Sequence, residues 1–200
     1  NHEYGKAGDY VITLTVDGQL GFCGSSAMSC LLVATSAVAD LNVAYQSAIK
    51  KIEIGGNVAS IGNYAFNQCY SLESVIISGG NEKSIGDAAF NQCYSLKSVD
   101  FSDGNVASIG KRVFENSYSI ANVAFSGGVK TLNSATFYNC YALACCDFTK
   151  HTSVPALSAT NIFFKIPADC IFKIPASLYD EWIAATNWSA IAATNTFVGV

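Results

Sequence analysis

Thiols and a histidine come closest in sequence at Cys145-Cys146-Asp147 and His151, the residue types of a sulfur nucleophile with a base at hand. Such a reaction also needs donors set in advance for an oxyanion, and no segment here supplies them. Zinc needs about four ligands at tight spacing. The two histidines, His2 and His151, stand 149 residues apart and no C-x-x-C pair occurs, so neither a metal nor a cofactor is expected. Gly55-Gly56, Gly79-Gly80 and Gly127-Gly128 lack the trailing Gly-Lys-Ser/Thr that cradles phosphate. A different chemistry is offered by Tyr70, Tyr94, Tyr118 and Tyr141, which recur at nearly constant spacing. Tyrosine joins a rigid apolar ring to a polar tip and suits contact with sugars or proteins.

The chain that must position these groups has 200 residues, 50% apolar, 12% aromatic and only 13% charged. It can bury a substantial core, which excludes intrinsic disorder. Its 11 basic and 15 acidic residues leave a net charge of -4 and no basic footprint for nucleic acid or an anionic membrane. The longest uncharged stretch, Gly18 to Ala39, is interrupted by glycines and serines, too polar for a span of ~20 apolar residues. No membrane insertion is expected. The start, Asn1-His2-Glu3-Tyr4, has neither an initiator Met nor a leader and reads as a mature form or an excised segment.

The organising feature is an internal repeat, because Ser60–Lys83 and Ser84–Ala107 agree at 16 of 24 positions without a gap. A third copy runs from Ser108 to Lys130 and a fourth, diverging, starts at Thr131. Landmarks recur in step: Ile61, Ile85, Ile109, Leu132; Phe66, Phe90, Phe114, Phe137; Leu72, Leu96, Ile120, Leu143. Ala65, Phe66 and Cys69 are spaced like one turn of helix, whereas Val75 and Ile77 alternate like a strand. Each copy is thus read as a short helical turn plus a short strand, with glycines at the following turn. So small a unit cannot bury its apolar face alone, but stacked copies can.

Alternation also names the outward positions. They are Glu73, Ser74, Ile76; Lys97, Ser98, Asp100; Ala121, Asn122, Ala124; and Ala144, Cys145, Asp147. The eight cysteines are even in number, which permits disulfides in an oxidising compartment. Cys69, Cys93 and Cys140 share one repeat position, where a small buried thiol packs as a hydrophobe. Ser117 interrupts that series. Bridges, if formed, would join Cys23 to Cys30, or Cys170 to Cys145 or Cys146. Cys146 itself replaces Val75, Val99 and Val123, a core position at odds with a nucleophile.

The strand scheme Leu72-x-x-Val75-x-Ile77, with Ile61-Gly62-x-x-Ala65-Phe66-x-x-Cys69-x-x-Leu72 before it, resembles the BspA-like leucine-rich repeat family. The likeness is clear from Ser60 to Phe148, and a worn copy keeps Ile49, Ile52 and Ile54 while Gln46 replaces the cysteine. The F-K-I-P-A segments at Phe164–Ala168 and Phe172–Ala176 look like the family's closing turns. The expected fold is an α/β, right-handed leucine-rich-repeat solenoid of short parallel strands and helical turns. Residues 1–37 would form an N-terminal cap or linker, with Tyr4–Tyr10 similar to the last strand of PKD-like surface domains. Residues 38–174 would form the solenoid of five to six turns. Residues 175–200 would form a helical cap, with Ser177-x-x-Asp180 as a capping box and Leu178, Trp182 and Ala185 on one face.

The resemblance implies a secreted or cell-surface protein of host-associated microbes, without enzymatic activity, adhering to host matrix, mucin or other cells. Its partner would be an extracellular host protein or glycan, held by Tyr70, Tyr94, Tyr118 and Tyr141 or by the strand face at Glu73, Ile76, Lys97, Asp100 and Asn122. The rival expectation is a structural spacer that displays other domains of a larger surface protein.

Overall fold

The structure, a computed structural model, describes residues 10–16, 49–56, 58, 60–79 and 82–200. The first described element is β1 (Tyr10–Val16), paired in parallel with β2 (Ile49–Gly56). The rest of residues 1–37, Cys23, Cys30 and Gln46 lie outside the described residues.

From β2 onward the chain coils, and each coil but the last adds one strand to each of two parallel sheets. The larger sheet continues through β4 (Ser74–Ile77), β6 (Ser98–Asp100), β8 (Asn122–Ala124), β10 (Cys145–Asp147) and β12 (Ile171–Ile174). The smaller contains β3 (Ser60–Ile61), β5 (Lys83–Ile85), β7 (Val106–Ile109), β9 (Thr131–Leu132) and β11 (Ala156–Leu157). Register follows the repeat: Ile52, Val75, Val99, Val123, Cys146 and Phe172 are successive partners across the larger sheet. All six are buried. Phe66, Phe90, Phe114, Phe137 and Phe163 form a stacked core column with centroids 5.2 to 5.7 Å apart.

The segment expected to be a helical turn is a run of tight turns instead. Tyr64, Gln68 and their counterparts Ala88, Gln92, Arg112, Asn116, Ala135 and Asn139 have left-handed backbones, φ 54 to 62°. These residues break any i→i−4 ladder. The N–H groups of Tyr64, Phe66 and Gln68 donate instead to the carbonyls of Asp87, Ala89 and Asn91 in the next coil, at 2.8 to 2.9 Å. The third side of the coil is therefore bonded along the stack, as the sheets are. A left-handed residue other than glycine costs about 1–2 kcal/mol, and these bonds between coils offset it.

Beyond β12 comes a short 3-10 turn, Ala176–Leu178, then α1 (Tyr179–Ala184) and α2 (Trp188–Ala192). Trp182 and Trp188 from these helices are fully buried against Phe148, Phe163 and Phe172. The Trp188 indole N–H donates to the Pro155 carbonyl at 2.7 Å. The expected capping box does not form, because Ser177 falls inside the 3-10 turn and α1 starts two residues later without a side-chain cap. Asp180 and Glu181 in its first turn favour the helix dipole instead. After α2 the chain re-enters the larger sheet as β13 (Thr196–Gly199), parallel to β12. No helix among the described residues is long and apolar enough to cross a membrane.

Candidate recognition surface

Because the repeat is nearly gapless, one side chain per coil is delivered to the same place on each turn. Tyr70, Tyr94, Tyr118 and Tyr141 stand in a single exposed stack, with centroids 5.1, 5.2 and 5.4 Å apart and planes within 22° of parallel. Three of the rings are 37 to 40% exposed and Tyr141, the last, is 50% exposed. Each inner ring has both faces covered by its neighbours, so the stack shows solvent its edges and hydroxyls. Burial, and then the phenols of Tyr118 and Tyr70, push the Tyr94 hydroxyl above its ordinary value.

A second row, absent from the sequence expectations, runs beside the tyrosines: Gln68, Gln92, Asn116 and Asn139, two residues before each ring. Gln68 Nε2 donates to Gln92 Oε1 at 3.4 Å, Asn139 Nδ2 to Asn116 Oδ1 at 2.7 Å, and the Tyr94 hydroxyl to Gln92 Oε1 at 3.2 Å. The recurrence of an amide at that offset was its only signal in the sequence.

The strand-face residues form a separate area. Glu73 lies between Lys50 at 3.3 Å and Lys97 at 2.8 Å, and hydrogen bonds from Lys97 and then Lys50 hold its carboxyl below the usual range. Ile76, Asp100 and Asn122 line a shallow groove of about 360 Å³, together with Ser98, Ala124 and Lys173. Asp100 and Asp147 each spend one carboxylate oxygen on a backbone N–H two residues on. Lys173, from the expected closing-turn segment Phe172–Ala176, completes the lining of the groove.

The thiols at the repeat position are buried, as their spacing suggested, and they also donate hydrogen bonds. Cys93 Sγ donates to the Phe66 carbonyl at 3.2 Å and Cys140 Sγ to the Phe114 carbonyl at 3.3 Å. Ser117 does the same with oxygen, donating to Phe90 at 3.0 Å while accepting the Cys93 N–H at 3.2 Å. This column consists of buried hydrogen-bond donors as well as packing groups. Burial pushes Cys69 up to about 12 and Cys93, Cys140 and Cys146 well above the thiol range. Cys146 and Cys170 meet in hydrogen-bond contact as free thiols, while half-buried Cys145 lies in the groove.

His151 is engaged elsewhere. Its Nε2 faces the Val129 carbonyl at 3.2 Å and its ring packs against Phe148 and Trp182. Burial lowers its pKa. Among the described residues no cluster of His, Cys, Asp and Glu could hold a metal ion.

No curated protein matches this chain. A leucine rich cell surface protein from Faecalibacterium prausnitzii aligns over 92% of this chain and 94% of its own, at 11% identity and a TM-score of 0.17. The family model for the BspA type leucine rich repeat region matches residues 41–162 in six copies. Those copies span the tyrosine stack and the groove except Lys173, and the chain belongs to the BspA-type leucine-rich repeat family.

Proposed function

We propose that this chain is a non-enzymatic recognition module of a secreted or cell-surface protein, which adheres to host matrix, mucin or other cells through its solenoid surface. The exposed tyrosine stack is the observation behind this reading. A row of large aromatic side chains left more than a third exposed, on a chain with so few charges, is the chemistry of a contact surface. The period of the solenoid repeats one weak contact four times along a line, so a polymeric partner or several displayed copies would multiply the affinity.

The test is binding of the chain, displayed in multiple copies, to arrays of matrix proteins, mucins and glycans, beside a variant with Tyr70, Tyr94 and Tyr118 changed to Ala. Loss of a hit in the folded variant assigns the stack as the site. Retention moves the site to the groove around Asp100 and Asn122. Silence of the folded protein on every array would sink the recognition role and favour the spacer.

A further inference from the structure

We propose that the tyrosine stack and its amide row bind an uncharged, ribbon-like polysaccharide of β-1,4-linked pyranoses lying along the solenoid axis. This rests on the recognition role above and names its ligand class. Period is the first argument. The hydroxyl-bearing rings advance 5.1 to 5.4 Å per coil, a step fixed by the strand spacing of the sheets. A β-1,4-linked chain advances one sugar in nearly the same distance, and because successive sugars are turned over the same edge returns at every second rung, still in step with the stack. An extended peptide presents same-face groups only every ~6.8 Å and falls out of step within two rungs.

The closed stack is the second argument. Recognition of proline-rich peptides relies on aromatic-lined slots that admit side chains. Rings stacked at these distances and within 22° of parallel leave no slot between them. What remains accessible is a line of phenol hydroxyls, each able to donate and accept. Beside it stands a line of carboxamides in which Gln68 bonds to Gln92, Tyr94 to Gln92 and Asn139 to Asn116; the Asn139 oxygen is buried, so the groups offered to a ligand are those of Gln68, Gln92 and Asn116. Sugar hydroxyls have the same dual character.

Charge is the third. The two rows contain no ionised side chain, and on the separate strand face Glu73 is matched by Lys50 and Lys97. A sulfated or carboxylated polymer would find no counter-ion in the strip, whereas a neutral one has none to lose.

The experiment is calorimetric titration of the folded chain with cello- and manno-oligosaccharides from disaccharide to hexasaccharide. The α-1,4-linked malto series, which curls instead of extending, is the geometric control. Affinity should rise with each added sugar until the chain is as long as the stack has rungs, then level off, and the malto series should show no such rise. Tyr94→Phe keeps the ring stack and removes one hydroxyl, and should weaken binding about 3- to 10-fold. Absence of binding, equal binding of the malto series, or full affinity in Tyr94→Phe would each overturn the proposal. A matrix protein captured on the arrays and lost with the tyrosines would overturn the glycan class while leaving the recognition role standing. Silence on both glycans and proteins would remove both.

Discussion

Replacing Ser117 separates two accounts of the buried column at Cys69, Cys93, Ser117 and Cys140. If the column is only a row of small hydrophobes, Ser117→Val should stabilise the protein by ~1.6 kcal/mol, at ~0.8 kcal/mol for each added carbon. The geometry says otherwise. Ser117 Oγ donates to the Phe90 carbonyl and accepts the Cys93 N–H, and Ser117 and Cys93 are both fully buried. Removal of the hydroxyl strands one acceptor and one donor. The cost runs from about 1 kcal/mol, if the Cys93 N–H recovers a bond three residues back, to about 4 kcal/mol if both groups stay unpaired. The cysteines at 69 and 140 make such a bond at 3.2 to 3.3 Å, so partial recovery is sterically available. Ser117→Ala should therefore lose about 1–4 kcal/mol. Ser117→Val should do no better, because the extra carbons enter a site already closed. Ser117→Cys restores the donor used in neighbouring coils and should stay within about 1 kcal/mol of the parent. Thermal melts read these differences at about 2–4 °C per kcal/mol. A Ser117→Val protein as stable as the parent would refute the hydrogen-bonded column.

Four further outcomes follow from the same geometry. Gly110→Ala places a Cβ 2.7 Å from the Asp87 nitrogen and the Gly86 carbonyl carbon, both backbone atoms of the neighbouring coil, and should cost at least ~2 kcal/mol in urea unfolding. Gly79→Ala meets no atom but keeps φ at +59°, so its loss should be near 1 kcal/mol, with Gly79→Asn smaller. Among the described cysteines, a thiol probe should label Cys145 first in the native protein and Cys69, Cys93, Cys140, Cys146 and Cys170 only after unfolding, as mass spectrometry of the labelled peptides would show. Burial lowers the His151 pKa below its ordinary value of 6.5, so just below that pH the unfolded chain binds more protons than the folded one. Its contribution is constant above pH 6.5 and stability falls as the pH drops from there to the folded value, at up to ~1.4 kcal/mol per pH unit. His151→Gln should flatten that slope in melts taken across the same window.

The larger sheet was legible because its code is repeated: Val75, Val99, Val123 and Cys146 declare one register four times, and a slip would turn each outward. The smaller sheet was not. Ser60–Ile61 and Thr131–Leu132 are too short to show alternation, so their isoleucine and leucine read as landmarks and not as strands. The helical reading of Ala65, Phe66 and Cys69 failed because consecutive i→i−3 turns produce the same three- and four-residue spacing as a helix. Only the asparagines at 116 and 139 hinted at left-handed backbone; Tyr64, Ala88 and Arg112 give no local sign of it. At the surface the tyrosines were visible as a series, but spacing alone could not show that their faces would be spent on one another. Ser117, which looked like a defect in the cysteine series, was the one clue that the series donates hydrogen bonds.

The ladder bonds of both sheets run from coil to coil, and so do the bonds that Tyr64, Phe66 and Gln68 donate along the turn side. A pull applied across the repeat loads them end-on, one coil at a time, as a zipper and not as a sheared sheet. Each released coil frees the 23 or 24 residues between successive landmarks, or roughly 80 Å of extended chain. Tension on a tethered ligand would then be spent in a series of similar lengthening steps, each reversible by re-stacking on the coil below, and the module would yield by degrees before its grip was broken.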